Sequence, residues 1–163
     1  MRVRSGIVAV LAAVCASIAL APPAQAAEPI FGHANVLVNE QTGRCLDSDT
    51  AGNVYTKECR WANPYQQWVP SIPSGSGRML LRNVQTGLCL TAVNSTSVRT
   101  MVCPSNRYYP MEWGLVITAG RQSLENGNSP TLPVVLDSDN DGKVYLRPPT
   151  NLNRYQSWLF YQA

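Results

Sequence analysis

The chain has 163 residues and a formal net charge of +3 at pH 7, from 13 basic and 10 acidic side chains. Two of the basic residues, Arg2 and Arg4, lie in an N-terminal export segment, and without them the charge is only +1. So small a charge gives no support for a nucleic acid or an anionic membrane surface as the partner.

The N-terminus predicts a secretory signal peptide. Arg2 and Arg4 form a basic start, residues 7–21 are an apolar run, and Ala24-Gln25-Ala26 is a cleavage site of the small-x-small kind. The apolar run is shorter than the roughly twenty residues that a membrane span requires. We therefore expect residues 1–26 to be removed and a single mature domain, residues 27–163, to be secreted without membrane insertion.

The mature chain contains an internal repeat. Residues 46–68 open with LDSDTAGNVY and close with YQQW, and residues 136–158 open with LDSDNDGKVY and close with YQSW, without insertion or deletion. A fainter copy lies between them, since NVQTGLCL at 83–90 resembles NEQTGRCL at 39–46. Such self-similarity determines the architecture before any residue is given a role. The predicted repeats are residues 34–76, 77–119 and 120–163.

Four cysteines remain after the signal peptide, and an even number in an exported protein indicates disulfides. The chain from Cys45 to Cys59 is as long as the chain from Cys89 to Cys103. Because these positions are equivalent in two repeats, we predict that each repeat closes its own disulfide. A zinc site is a poor alternative, since no CxxC pair exists and His33 is the only histidine.

Short apolar runs bounded by turn residues predict an all-β chain. No part of the mature sequence has a helical period with start and stop signals. A unit of about forty residues cannot bury a core alone, so three units are expected to share one core around a threefold axis. Trp68, Trp113 and Trp158 are its predicted members. The apolar runs lie at 36–38, 79–81, 115–117, 134–136 and 158–161.

The chain resembles the ricin B-type β-trefoil lectin family, in particular its secreted bacterial single-domain members. The resemblance rests on Gln66-Gln67-Trp68, Gln156-Ser157-Trp158 and Gly43-Arg44-Cys45-Leu46-Asp47, with a second cysteine between the motifs. It covers essentially the whole mature chain. It implies a β-trefoil of three repeats with pseudo-threefold symmetry, in which a six-stranded barrel is capped by three hairpins.

The resemblance also implies where sugars bind. In that family an aspartate accepts hydrogen bonds from two sugar hydroxyls, an aromatic ring stacks on the pyranose, and an amide completes a shallow site. The first and third repeats are expected to bind sugar, whereas the middle repeat has Thr91 for the aspartate and Met111 for the glutamine. The candidate carbohydrate-binding residues are Asp47, Tyr55, Lys57, Tyr65, Asp137, Tyr145, Arg147 and Tyr155.

These clusters depart from the usual family pattern. The stacking position holds Lys57 in the first repeat and Arg147 in the third. Tyr55 and Tyr145 precede them by two residues, which places each tyrosine on the same strand face as its cation. The result is a polar and aromatic cluster that differs from the standard site.

Each candidate also has a structural interpretation. Asp47 and Asp137 could stabilise turns or form ion pairs with the cations at the stacking positions. Tyr65 and Tyr155, which stand where the family usually has asparagine, could pack within the hairpins, as could the other two tyrosines. The Gln and Trp residues of the Gln-x-Trp motifs are assigned structural roles.

Residues 137–142, here called the acidic loop, begin like a calcium-binding loop, with oxygen ligands at positions one, three and five and glycine at six. The twelfth position is Pro148, where a bidentate glutamate is required. The prediction is an acidic turn, with calcium as the alternative. No other metal site and no cofactor are indicated.

The sequence predicts a binding protein rather than an enzyme. It contains no serine elbow, free mature cysteine or metal cluster, and its carboxylates have no differently buried partner. The predicted partner is a glycan or glycoprotein. The alternative is a protein-interaction β-trefoil, such as a toxin receptor-binding subunit or an inhibitor, which would act with a partner toxin or enzyme chain.

Overall fold

The computed structural model describes residues 28–127 and 133–163, and within them the chain forms twelve strands and three short 3-10 helices. The strands are β1 (Asn35–Asn39), β2 (Cys45–Ser48), β3 (Val54–Lys57), β4 (Gln67–Ser71), β5 (Leu80–Asn83), β6 (Cys89–Ala92), β7 (Val98–Met101), β8 (Trp113–Thr118), β9 (Arg121–Asn126), β10 (Val134–Ser138), β11 (Val144–Arg147) and β12 (Trp158–Gln162). The 3-10 helices are Pro64–Gln66, Tyr109–Met111 and Arg154–Gln156.

The predicted signal peptide lies outside the described residues. None of the described helices is long and apolar enough to cross a membrane.

Six strands form a barrel. β1 pairs with both β12 and β4, β4 with β5, and β8 with β9, all antiparallel. Met79 and Trp113 join the β5 and β8 edges through two backbone hydrogen bonds of 2.8 Å, and β12 lies beside β9. Closure leaves few free strand edges.

The other six strands form three hairpins, β2–β3, β6–β7 and β10–β11, which cap the barrel. This arrangement confirms the expected all-β fold, a β-trefoil with four strands in each third of the molecule.

The predicted tryptophan core is present. Trp68, Trp113 and Trp158 have no exposed surface and belong to one apolar cluster. Their indole nitrogens donate to the backbone carbonyls of Leu46, Leu90 and Leu136 at distances of 3.0, 2.9 and 2.9 Å. Each tryptophan thereby fills the centre of the barrel and holds the first strand of its own cap hairpin.

The hairpin tips connect neighbouring repeats. The Gly52 carbonyl accepts from the Thr100 amide at 2.9 Å, the Gly142 carbonyl from the Thr56 amide at 2.8 Å, and the Thr96 carbonyl from the Leu146 amide at 3.0 Å. These three bonds follow the threefold arrangement in a cycle. The loops beside the candidate sites are therefore held by the next repeat as well as by their own strands.

Both predicted disulfides are formed. Cys45 pairs with Cys59, and Cys89 pairs with Cys103, each across fourteen positions of sequence. Each bond joins the start of a cap hairpin to the segment that follows it, on the side of the hairpin where the candidate cleft lies.

Candidate functional site

A buried aspartate lies at the base of the first-repeat hairpin. Asp47 on β2 faces Tyr55 on β3 in the antiparallel register, and its side chain is almost fully buried. The side-chain amide of Gln66 donates to the Asp47 carboxylate at 3.0 Å and to the Glu58 carbonyl at 3.0 Å. The Gln66 amide oxygen accepts from the Arg60 backbone at 2.8 Å. The two backbone contacts orient the Gln66 amide, which in turn holds one oxygen of the Asp47 carboxylate.

The third repeat has the same network. The amide of Gln156 donates to the Asp137 carboxylate at 3.0 Å and to the Pro148 carbonyl at 3.0 Å, and its oxygen accepts from the Thr150 amide at 2.8 Å. Sequence reasoning gave these glutamines a backbone role only and missed their contact with the aspartates. The signal was available, because the one repeat that lacks the aspartate also lacks the glutamine.

Burial dominates the electrostatics of the site. Removal from water raises the pKa of Asp47 and of Asp137, while donation from Gln66 and Gln156 opposes that rise. Burial and the nearby Asp47 carboxylate raise the pKa of Tyr55 to about 12. The Tyr55 phenol is therefore neutral at physiological pH, and its hydrogen bond with the Asp47 carboxylate keeps a donor and an acceptor side by side at the cleft.

The two cations lie over tyrosine rings. The Lys57 ammonium is 4.6 Å from the Tyr55 ring centroid, and the Arg147 guanidinium carbon is 5.2 Å from the Tyr145 ring centroid. Among the described residues neither cation forms an ion pair with the aspartate of its repeat, so that structural alternative is not supported. Each cation covers one face of its ring and remains exposed to solvent.

The first-repeat candidates surround a single open cleft of about 530 Å³, which Asn63 and Gln66 also line. Asn63 was not predicted. Its side-chain oxygen caps the 3-10 helix by accepting from the Tyr65 amide at 3.2 Å, and its amide group lies at the cleft. The candidate residues that line this cleft are Asp47, Tyr55, Lys57 and Tyr65.

In the third repeat, the four candidates lie on equivalent elements, with Asp137 opposite Tyr145 in register and Tyr155 in the 3-10 helix. One feature differs from the first repeat. The Asn140 side chain, in the acidic loop, donates to the Tyr155 hydroxyl at 3.1 Å. The two sites therefore share the aspartate and glutamine pair, and they differ in the loop side chain that contacts the tyrosine of the 3-10 helix.

The sequence matches the ricin-type beta-trefoil lectin domain over residues 36–158, which is most of the chain. The chain belongs to this family. No curated protein matches it. The presence of the lectin domain agrees with the buried aspartates and the threefold hairpin cap.

Two of the solved structures that resemble this lectin domain illustrate the likeness. One is an endo-β-galactosidase from Clostridium perfringens that releases GlcNAcα1-4Gal, with a TM-score of 0.69 and 18% identity over 82% of this chain and 33% of the enzyme chain. The other is ThreeFoil, a designed threefold symmetric protein, with a TM-score of 0.65 and 21% identity over 80% of this chain and 99% of the designed chain. The lectin domain thus spans about a third of that enzyme. At these identities the likeness shows the fold alone.

The middle repeat of the lectin domain has a different polar arrangement. The Thr91 hydroxyl donates to the Cys89 carbonyl at 2.9 Å, so it is engaged within its own strand. Met111, which is buried, stands where the outer repeats have glutamine. Neither residue can reproduce the carboxylate and amide pair.

The middle repeat nevertheless has a cleft of about 540 Å³. Tyr108 and Tyr109 line it and are 47% and 55% exposed. Arg107 lies 5.0 Å from the Tyr109 ring centroid, and its guanidinium makes two hydrogen bonds of 3.1 Å to the fully buried Glu112. This cleft is aromatic and carries no carboxylate among its lining residues.

The acidic loop has the hydrogen bonds of a turn. One Asp139 carboxylate oxygen accepts from the backbone amides of Asp141 at 3.0 Å and Lys143 at 2.9 Å. In the first repeat Asp49 accepts from the Asn53 amide at 2.9 Å in the same manner. The described residues contain no group of three side chains suited to a metal ion. The geometry accounts for these aspartates as turn caps.

Proposed function

We propose that this protein is a secreted carbohydrate-binding module whose sugar sites lie in the first and third repeats. The observation that carries the proposal is the pair of buried aspartates, Asp47 and Asp137, each held by a glutamine amide. In the first repeat this oriented carboxylate lines the open cleft, where it can accept hydrogen bonds from sugar hydroxyls.

The first cleft offers complementary groups for a sugar. Asp47 supplies acceptors at the base, and the neutral Tyr55 phenol and the Asn63 amide supply donors. The ring of Tyr65 at the cleft gives an apolar surface for the C–H groups of a pyranose. A stacked ring and a few solvated hydrogen bonds leave little net energy, so each site is expected to be weak and both together to supply avidity.

A glycan array on the mature protein tests the proposal. The similar Clostridium perfringens enzyme releases GlcNAcα1-4Gal, so galactose and N-acetylglucosamine are the first sugars for titration. Asp47→Ala and Asp137→Ala should each lower retention on an immobilised glycan, and the double variant should abolish it. Thr91→Ala, at the equivalent place in the middle repeat, is the matched control and should bind as the parent does.

Secretion is part of the same proposal. The two disulfides require an oxidising compartment to persist, which is consistent with export through a signal peptide at residues 1–26. N-terminal sequencing of the exported protein should begin at Ala27. An intact N-terminus in the medium would contradict removal of this segment.

The second candidate function is protein interaction. It is favoured by the aromatic cleft of the middle repeat, where Tyr108 and Tyr109 are exposed beside Val93 and Met101, which are 50% and 46% exposed. If the array and the titrations detect no sugar, this function replaces the lectin proposal. Tyr108→Ser with Tyr109→Ser should then remove binding to a partner toxin or enzyme chain.

A further inference from the structure

We propose that the two sugar clefts are unequal, with the first repeat providing the open site and Asn140 restricting the third. The Asn140 side chain donates to the Tyr155 hydroxyl at 3.1 Å, and the equivalent residues of the first repeat, Thr50 and Tyr65, both line its open cleft. By this equivalence, the hydrogen bond lies across the corresponding position in the third repeat. Asn140 is thus a specificity-determining residue that sets the affinity of the third site. This inference rests on the proposed function.

The structure fixes both ends of this hydrogen bond. On the loop side, the Arg44 guanidinium donates to the Asn140 carbonyl at 2.8 Å, and Thr56 donates to the nearby Gly142 carbonyl. On the helix side, the Tyr155 amide is capped by the Asn153 side chain at 3.1 Å. Because both segments are held by these hydrogen bonds, a ligand that uses the Tyr155 hydroxyl must displace the Asn140 side chain.

The first repeat has the same frame without the closing side chain. Its loop is held by the second repeat, through the Arg99 guanidinium to the Ala51 carbonyl at 2.8 Å. Its helix is capped by Asn63, in the same manner as Asn153 caps the third. The position of Asn140 is taken by Thr50, and Thr50 and Tyr65 both line the open cleft. Threonine is shorter than asparagine and has no side-chain amide.

The hydrogen bond therefore makes occupation of the third site less favourable. A ligand must break it before the Tyr155 hydroxyl and the base of the cleft become available. One exposed neutral hydrogen bond corresponds to an affinity about two- to tenfold weaker. The first site carries no such penalty, so it should fill first as the sugar concentration rises.

The test isolates each site in the full mature chain. Asp137→Ala leaves the first site, and Asp47→Ala leaves the third. Calorimetric titration with galactose, and then with N-acetylglucosamine, should give a weaker Kd for the third site. Adding Asn140→Thr to the Asp47→Ala protein should tighten the third site about two- to tenfold, and adding Thr50→Asn to the Asp137→Ala protein should weaken the first.

Thr91→Ala provides the matched control, since the Thr91 hydroxyl bonds within its own strand of the middle repeat and its loss should leave both Kd values unchanged. The inference would be wrong if the two sites had equal Kd values that Asn140→Thr left unchanged, or if Asn140→Thr weakened the third site. Either result would leave the lectin proposal intact. Absence of sugar binding in both single-site proteins would overturn the inference and the lectin proposal together.

A measurement without ligand separates the hydrogen bond from the binding. The side-chain amide protons of Asn140, identified in NMR spectra by their loss in Asn140→Thr, should exchange with solvent faster in Tyr155→Phe than in the parent. Equal exchange rates would show that the hydrogen bond does not persist in solution, and the inference would be wrong.

Discussion

The amide of Gln66 donates a hydrogen bond of 3.0 Å to the carboxylate of Asp47, nineteen residues earlier in the chain. The third repeat repeats this contact between Gln156 and Asp137 at 3.0 Å. The glutamine joins the segment that leads into the tryptophan core to the base of the candidate cleft. Packing of the core and orientation of the carboxylate are therefore coupled in both outer repeats.

Replacing this glutamine tests that coupling. Gln66→Met, which copies the residue of the middle repeat, should weaken sugar binding at the first site about tenfold because Asp47 loses its fixed orientation. It should also destabilise the protein by about 1–3 kcal/mol, since buried polar groups are left without partners. Calorimetry and chemical denaturation measure the two effects. Gln67→Met, which removes only the bond to the Trp61 carbonyl, is the control and should preserve binding; loss of stability in Gln66→Met with unchanged affinity would contradict the positioning role.

Sugar binding should weaken in mildly acidic solution. Burial raises the pKa of Asp47 and Asp137 above the ordinary aspartate value of 3.8, and protonation removes the acceptor carboxylate. Affinity should therefore fall as pH drops through the raised pKa, at a higher pH than for an exposed aspartate. In Asp47→Asn the first site should lose this limb of the pH profile. The neighbouring Asp49 carboxylate contributes to the raised pKa of Asp47, so Asp49→Asn should move the midpoint to lower pH without removing it.

The same raised pKa values affect stability in the opposite direction, because protonation of the two aspartates weakens sugar binding but favours the folded state. The folded chain binds these two protons more tightly than the unfolded chain, so the ionised aspartates oppose folding at neutral pH. Their unfavourable contribution should disappear as pH falls from the raised pKa towards 3.8. The difference in the free energy of unfolding between parent and Asp137→Asn should accordingly shrink across that window. A constant difference would show that burial does not raise this pKa.

The tryptophans of the barrel should dominate stability. Trp68→Ala and Trp158→Ala should each lower the free energy of unfolding by about 3–5 kcal/mol, the usual range for a buried aromatic. Trp61 is the internal control, because it is 50% exposed and packs edge-on against Tyr161 with ring centroids 5.6 Å apart. Trp61→Ala should cost about 1 kcal/mol or less. Similar denaturation midpoints for all three variants would refute the central core.

Gly142 should tolerate no side chain. It has a φ of +88°, and a Cβ atom there would lie 2.6 Å from the Thr56 carbonyl oxygen. Because this oxygen belongs to the backbone, it cannot move away without shifting the chain of the neighbouring repeat. Gly75 has a similar φ of +74° but no atom within 4 Å of its Cβ position. Both Gly→Ala variants incur strain of about 1–2 kcal/mol from the left-handed backbone, and Gly142→Ala should be less stable than Gly75→Ala. Equal melting temperatures would mean that the backbone at the contact between repeats shifts with little loss of stability.

Much of the fold follows from the sequence because repeats restrict the possible architectures. Equivalent positions must have equivalent surroundings, so the spacing of Cys45, Cys59, Cys89 and Cys103 predicted both disulfides, which the structure confirms. The same argument placed the three tryptophans in one core. The family resemblance added the barrel and its three caps. The resemblance also supplied Asp47 as a candidate, and period two placed Tyr55 on the same strand face as Lys57; the register that sets Asp47 opposite Tyr55 came from the structure.

The sequence by itself determined the repeat, the disulfides and the shared core, because these depend on pattern and on short-range spacing, whereas the candidate residues came from the family resemblance and stay a prediction. Only the tertiary structure decided what each side chain contacts. Gln66 reaches Asp47 because the 3-10 helix folds back onto β2, and Lys57 lies over the Tyr55 ring rather than pairing with the aspartate. Two nearly identical repeats differ at their opening because Asn140 reaches Tyr155 across a gap that the neighbouring repeat holds fixed. Hydrogen bonds depend on distances of a few ångströms between segments that are far apart in sequence, and those distances exist only once all three repeats have packed together.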